Sequence, residues 1–111
     1  MRLELEQMES LSNAQIREYK ARAQRLKPML KLGKEGMTTQ FLAALDAALE
    51  NHELVKVKFD DFKAEKKVLS PQLAEKTASH FVTRVGNVVV LFRKSAKRNL
   101  TPSEAEEDSE S

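Results

Sequence analysis

The sequence has no cysteine and no tryptophan, and only one tyrosine, two histidines, three glycines and three prolines among its 111 residues. Without cysteine there is no disulfide framework, no thiol nucleophile and no thiolate metal site. The two histidines, His52 and His80, form no His-x-x-x-His pair, so a zinc or copper site would have to be completed by carboxylates. No apolar run approaches the ~20 residues of a membrane span. The opening Met1-Arg2-Leu3-Glu4-Leu5-Glu6 is too charged for a signal peptide. The expectation is a reduced, soluble, cytoplasmic protein with no metal, no cofactor and no membrane partner. The length points to one domain.

What the chain has in quantity is charge, and the formal net value of +2 hides its distribution. All 19 basic residues lie at or before Arg98, whereas Glu104, Glu106, Glu107, Asp108 and Glu110 crowd the end. Residues 1–100 therefore carry 19 basic against 12 acidic groups, +7, and the last eleven carry −5. Such asymmetry favours a polyanionic partner over a cationic one. A basic surface kept only for solubility is the plain alternative.

Residues 1–11 are charged, lack turn signals and read as an N-terminal extension. Ser12 or Asn13 can cap a helix in which Ile16, Tyr19, Ala23 and Leu26 recur at helical spacing. Lys27-Pro28 should end it, since the residue before proline is pushed out of the α region. Met29–Leu32 reads as a short strand. Thr38 or Thr39 can cap a second helix with Phe41, Leu42, Leu45, Ala48 and Leu49 on one face. Asn51-His52 closes it, and Leu54–Phe59 alternates as a second strand. Asp60 or Asp61 can cap a third helix reaching Ser79. Within it Ser70-Pro71 looks like a fresh cap followed by a first-turn proline, so a kink or two abutting helices are expected. Phe81–Val85 and Val88–Phe92 form a hairpin around Gly86-Asn87, a type II′ signature. The second of these strands is apolar on both faces and belongs inside the sheet. From Thr101 onward the chain is acidic, Ser-rich and expected to be disordered. The order helix-strand-helix-strand-helix-strand-strand describes a compact two-layer α/β domain with a four-stranded mixed sheet. Right-handed parallel crossovers should join its first three strands.

The motif that carries chemistry is Gly33-Lys34-Glu35-Gly36, set between the first strand and the second helix. Glycines there let a polyanion approach the backbone, and the following helix start offers free N–H groups and a positive dipole end. Seven basic residues lead up to and into this loop, Arg17, Lys20, Arg22, Arg25, Lys27, Lys31 and Lys34, against the single acid Glu18. A solubilising helix would alternate its signs more evenly. Nucleic-acid backbone suits the combination. Lys56, Lys58, Arg84 and Arg93 either extend the basic surface or blunt strand edges. Tyr19 and the five phenylalanines fit core positions, which disfavours an array of stacked bases and favours backbone and shape recognition. His52 and His80 read as helix-end residues.

Leu26-Lys27-Pro28, the Gly33–Gly36 loop, the stretch Ala48–Lys58 and the stretch Val85–Arg93 together resemble the CRM domain family over about residues 12–98. The resemblance implies a non-catalytic RNA-binding module similar in fold to the C-terminal domain of translation initiation factor three. Its last strand is then inside the sheet. The resemblance also implies association with ribosomal RNA in precursors of the large subunit. The organisation expected from the whole chain is an extension over 1–11, the domain over 12–98 and an acidic tail over 99–111, and the expected state is a monomer. Two features depart from the family pattern: Pro71 falls where the helix is usually uninterrupted, and the tail is foreign to the domain. The competing reading is an RNA-processing or RNA-modifying enzyme with a carboxylate site, for which Asp46, Asp60 and Asp61 are the candidates.

The charge asymmetry makes a prediction of its own. A tethered −5 segment competes with RNA phosphates for the +7 remainder at high effective concentration. Truncation after Leu100 should tighten low-salt binding to random RNA in filter assays; unchanged affinity would make the tail a solubility extension.

Overall fold

The computed structural model describes residues 10–95. The expected N-terminal extension, apart from its last two residues, and the whole acidic tail fall outside them. Helix α1 spans Asn13–Ala23 and opens with a capping box. The Ser12 hydroxyl accepts from the Gln15 N–H at 3.1 Å, and the Gln15 side chain accepts from the Ser12 N–H at 2.8 Å. The helix stops well short of the expected Lys27-Pro28. Arg25 and Leu26 donate to the carbonyls of Arg22 and Ala23, a tightened i→i+3 ending. The Lys56 ammonium takes the Ala23 and Leu26 carbonyls at 3.0 Å each. The helix end is thus satisfied from the sheet before the proline is reached.

Strand β1 (Leu30–Leu32) leads through the glycine loop to α2 (Thr39–His52), capped by the Thr38 hydroxyl on the Phe41 N–H at 3.0 Å. Strand β2 (Leu54–Phe59) follows directly. The third helix departs from expectation. Asp61 accepts from the Phe62 N–H at 2.8 Å, Phe62 turns left-handed at φ 57°, and a 3₁₀ turn over Lys63–Glu65 precedes α3 (Lys66–Lys76). The break lies there, and Pro71 sits inside α3. Its missing N–H withdraws one bond from the Lys67 carbonyl, on an exposed part of the helix. α3 closes before Ser79 in a Schellman arrangement: Ala78 is left-handed at φ 53°, and the Ser79 N–H reaches the Ala74 carbonyl at 2.8 Å. Strands β3 (His80–Val85) and β4 (Val88–Phe92) complete the sheet as a hairpin with Gly86 at φ 60°. His80 is therefore the first residue of a strand, while His52 does end its helix.

The sheet order is β1-β2-β4-β3, with β1 parallel to β2 and β4 antiparallel to both neighbours. The four-stranded mixed sheet with an interior last strand is as expected. The first three strands share a direction, but β4 stands between β2 and β3. On one face Leu32, Val55, Val57, Phe59, Val89 and Leu91 meet Leu45 and Leu49 of α2 and Leu73 of α3. These two layers hold the larger core. On the opposite face α1 adds a partial third layer, with Ala23 and partly buried Ile16, Tyr19 and Leu26 against Leu54, Val82, Val90 and Phe92. Phe81, expected in the core, is 42% exposed. It lies on the edge strand beside a bulge that turns Val82 inward instead. No helix among the described residues is long and apolar enough to cross a membrane.

His80 stands opposite Phe92, with ring centroids 6.4 Å apart, and its burial holds its pKa below the ordinary 6.5. Folding therefore favours the neutral ring, and this contribution, present above about pH 6.5, is lost as pH falls through the lower folded value. Urea midpoints should decline from pH 7 to pH 5 in the parent and decline less in His80→Gln. Equal slopes would remove His80 as the cause.

Candidate nucleic-acid interface

The glycine loop is a β-turn closed by the Gly36 N–H on the Gly33 carbonyl at 3.0 Å. Gly36 has φ +77°, and a Cβ there would meet the Phe62 ring at an ordinary 3.6 Å. Backbone conformation, rather than lack of room, selects glycine at this position. Gly33 faces open space. Lys34 and Glu35 form the exposed tip. The chain then reaches the Thr38 cap with the Thr38 N–H on the Gly36 carbonyl at 2.9 Å. Thr39 and Gln40 stand at the start of α2, exposed, with backbone N–H groups that have no acceptor inside the helix. Turn tip and helix start thus follow one another directly, at the end of β1.

The seven basic residues from Arg17 to Lys34 are all exposed, but they do not form one stripe. At about 100° per residue, Lys20 and Arg22 point roughly 160° apart on α1. Arg17 and Lys20 share one flank. Arg22 occupies the other, 3.5 Å from Glu18 and 5.5 Å over the Tyr19 ring. Tyr19 itself stacks on Phe92 at 4.2 Å, and burial, with Glu18 beside it, raises its pKa. It belongs to the core, as its spacing suggested. Arg25 and Lys27 follow in the connection to β1. Arg22 and Arg25 line a cleft of about 310 Å³ with Met29 and His52. Lys31 projects from β1 in register with Lys58 of β2. On the far flank of α1, beside Lys20 and Gln24, lies a groove of about 480 Å³ over Val85, Val88 and Val90. Sequence reasoning did not find this groove; an apolar Val85 and Val88 bracketing a tight turn were its only signal.

The strand cations divide in two. Lys56 serves the end of α1. Arg93, only 18% exposed in its side chain, binds the Asp46 carboxylate at 2.6 Å, the Asp46 carbonyl at 3.0 Å and the Thr77 carbonyl at 2.8 Å, with Glu50 at 3.4 Å. It ties α2 and the end of α3 to the end of β4. Arg84 donates to the Gly86 carbonyl in its own hairpin at 2.8 Å. Lys58, by contrast, is exposed, with Asp60 at a loose 4.0 Å. The candidate carboxylates are dispersed: Asp46 serves Arg93, Asp60 faces Lys58 and Asp61 caps Phe62. Among the described residues no three His, Cys, Asp or Glu side chains gather as a metal site would require.

The family model for the CRS1 / YhbY (CRM) domain matches residues 11–93. A Pseudomonas aeruginosa protein named "Probable RNA-binding protein" is 34% identical over 95 residues, covering 81% of this chain and 88% of its own. A Haemophilus influenzae protein named "RNA-binding protein" is 33% identical over 94 residues, covering 84% and 95%. The solution structure of a hypothetical Staphylococcus aureus protein superposes with a TM-score of 0.66 at 33% identity, over 77% of this chain and 90% of that one.

The Lys56 bridge fixes how α1 sits on the sheet. In Lys56→Met the Ala23 and Leu26 carbonyls lose their donor while the aliphatic stem is kept, which should cost about 1–3 kcal/mol. Urea unfolding should report the loss, and amide exchange should speed in α1 more than in α2. An unchanged midpoint would show that water serves these carbonyls equally well.

Proposed function

The chain belongs to the CRS1 / YhbY (CRM) domain family, and from that premise we propose that it is a non-catalytic, monomeric RNA-binding protein of the cytoplasm. The observation that carries the reading is the exposed Gly33–Gly36 turn running directly into the start of α2, with Lys34 at its tip and basic residues exposed along α1 and β1. RNA phosphates would sit against the turn backbone and the first N–H groups of α2, in the manner of a KH-type loop, with Lys34 as counter-charge. Arg17, Lys20, Arg22, Arg25, Lys27 and Lys31 would extend the contact along the backbone. Glu35 completes the turn and faces outward. The names of the relatives support an RNA partner. Ribosomal RNA in large-subunit precursors is the target that the family resemblance suggests. The alternative, an RNA-processing enzyme, has no observation in its favour: Asp46, Asp60 and Asp61 are each engaged separately.

Binding should be chiefly electrostatic. If about four phosphates are neutralised, log K against log salt should slope near −3 for single-stranded contacts. Lys34→Glu reverses one charge at the turn tip without touching either glycine. Its effect on stability should stay under ~0.5 kcal/mol, while loss of a charge-assisted phosphate contact, roughly 1.5–3 kcal/mol, should lower affinity about tenfold or more. Filter binding and a thermal melt check both. If the variant matches its parent in each, the turn is only a turn. The ribosomal target has its own test: the protein should co-sediment with immature large subunits at low salt, and a peak of free protein alone would count against it.

A further inference from the structure

The sheet face that carries α1 is only partly covered. α1 lies over Phe92, Val90 and Leu54, and its last turn ends above Lys56. Beyond it, one row of side chains crosses all four strands on this face. Lys31 stands opposite Lys58, Lys58 opposite Val88 and Val88 opposite Val85. The two lysines are exposed, and Val85, at 72%, is the most open large apolar side chain among the described residues. Between this row and the flank of α1 bearing Lys20 and Gln24 runs the groove of about 480 Å³, with Thr83 at its edge. An apolar floor, the polar side chains of Gln24 and Thr83 and two lysines, Lys20 and Lys56, line the groove, and Lys58 and Lys31 continue the row beyond Val88.

We propose that this groove seats an unpaired nucleotide of the bound RNA, its base against Val85 and Val88 and its flanking phosphates on Lys20, Lys58 and Lys31. The inference rests on the RNA-binding reading above and deepens it. The turn and the basic residues hold backbone, and the groove selects RNA with a bulged or looped base over continuous duplex. Charge decides the occupant. The apolar end of the row is continuous with a doubly cationic end, and a purely apolar partner would leave Lys31 and Lys58 without counter-charges. Asp60 lies 4.0 Å from Lys58 with both side chains near half exposed, a pair that yields readily to a phosphate. In a continuous A-form duplex the bases are stacked inside, whereas an unpaired base is free to splay into a pocket. The space is of ordinary size for a small ligand, mostly apolar with few polar groups. The Gln24 amide both donates and accepts, as does the Thr83 hydroxyl, so both can read a base edge.

The test uses the full chain and two RNAs of equal length. One is a continuous hairpin duplex; the other carries a three-nucleotide bulge with 4-thiouridine at its centre. The bulged RNA should bind about fivefold tighter, less than a fully stacked aromatic contact would give. Irradiation should crosslink it to peptides containing residues 20–24 or 83–90. Val85→Ser, at an exposed position, should abolish the preference and leave duplex affinity close to that of the parent. Equal binding of the two RNAs, or a crosslink confined to residues 33–41, overturns the groove while leaving RNA binding intact. Failure to bind either RNA overturns the underlying reading as well. If Val85→Ser instead reduces self-association measured by light scattering, with the preference unchanged, the face belongs to a second copy of the chain and the proposal falls.

Discussion

The rest of the structure depends on a constraint set by β4: Val88 to Phe92 contains no polar side chain, so both faces of the sheet's interior need a cover. On one face the requirement is met generously. Val89 and Leu91 are fully buried beneath Leu45, Leu49 and Leu73, at about 1.5–3 kcal/mol for each large side chain removed from water. On the other face the cover is α1, whose apolar stripe is narrow. Ile16, Tyr19 and Ala23 supply about one contact per turn, anchored by the stacking of Tyr19 on Phe92. Such a stripe covers one end of the face and leaves the hairpin end open. It also leaves most of the helix circumference to solvent, where Arg17, Lys20 and Arg22 stand. The exposed basic surface and the open groove are thus two consequences of one undersized cover.

This explains which parts of the fold were legible in the sequence. The interior position of β4, the caps at Ser12 and Thr38 and the hairpin at Gly86 rest on neighbouring residues, and local chemistry decides them. The end of α1 does not. Proline chemistry placed it at Lys27-Pro28, whereas a lysine from another element accepts the task earlier. The break before α3 likewise came from a left-handed Phe62 whose ring lies under Gly36, a contact across the fold that periodicity cannot report. Phe81 fits a core position in sequence, but the bulge beside it on the edge strand leaves it exposed. For the candidate site, residue identities and exposure were legible, but their division between two flanks of α1 required the orientation of the helix on the sheet.

The cations themselves sort by the same logic. Lys56 and Arg93 sit on or just beyond strands, where carbonyls at helix ends lie within reach, and each is absorbed into holding helices to the sheet. Arg93 also pairs with the Asp46 carboxylate. The cations on α1, in the loop after it and on the short edge strand have no such carbonyls to serve. Placed in water, an ion pair there is worth about 0–1 kcal/mol, so folding gains little by neutralising them. What an exposed cation contributes weakly to stability it can contribute strongly to a polyanion, because each phosphate contact also releases a condensed counterion. The fold therefore uses its half-buried cations for architecture and keeps its exposed ones available. The Gly33–Gly36 turn stands one residue past the buried Leu32 and two past the exposed Lys31.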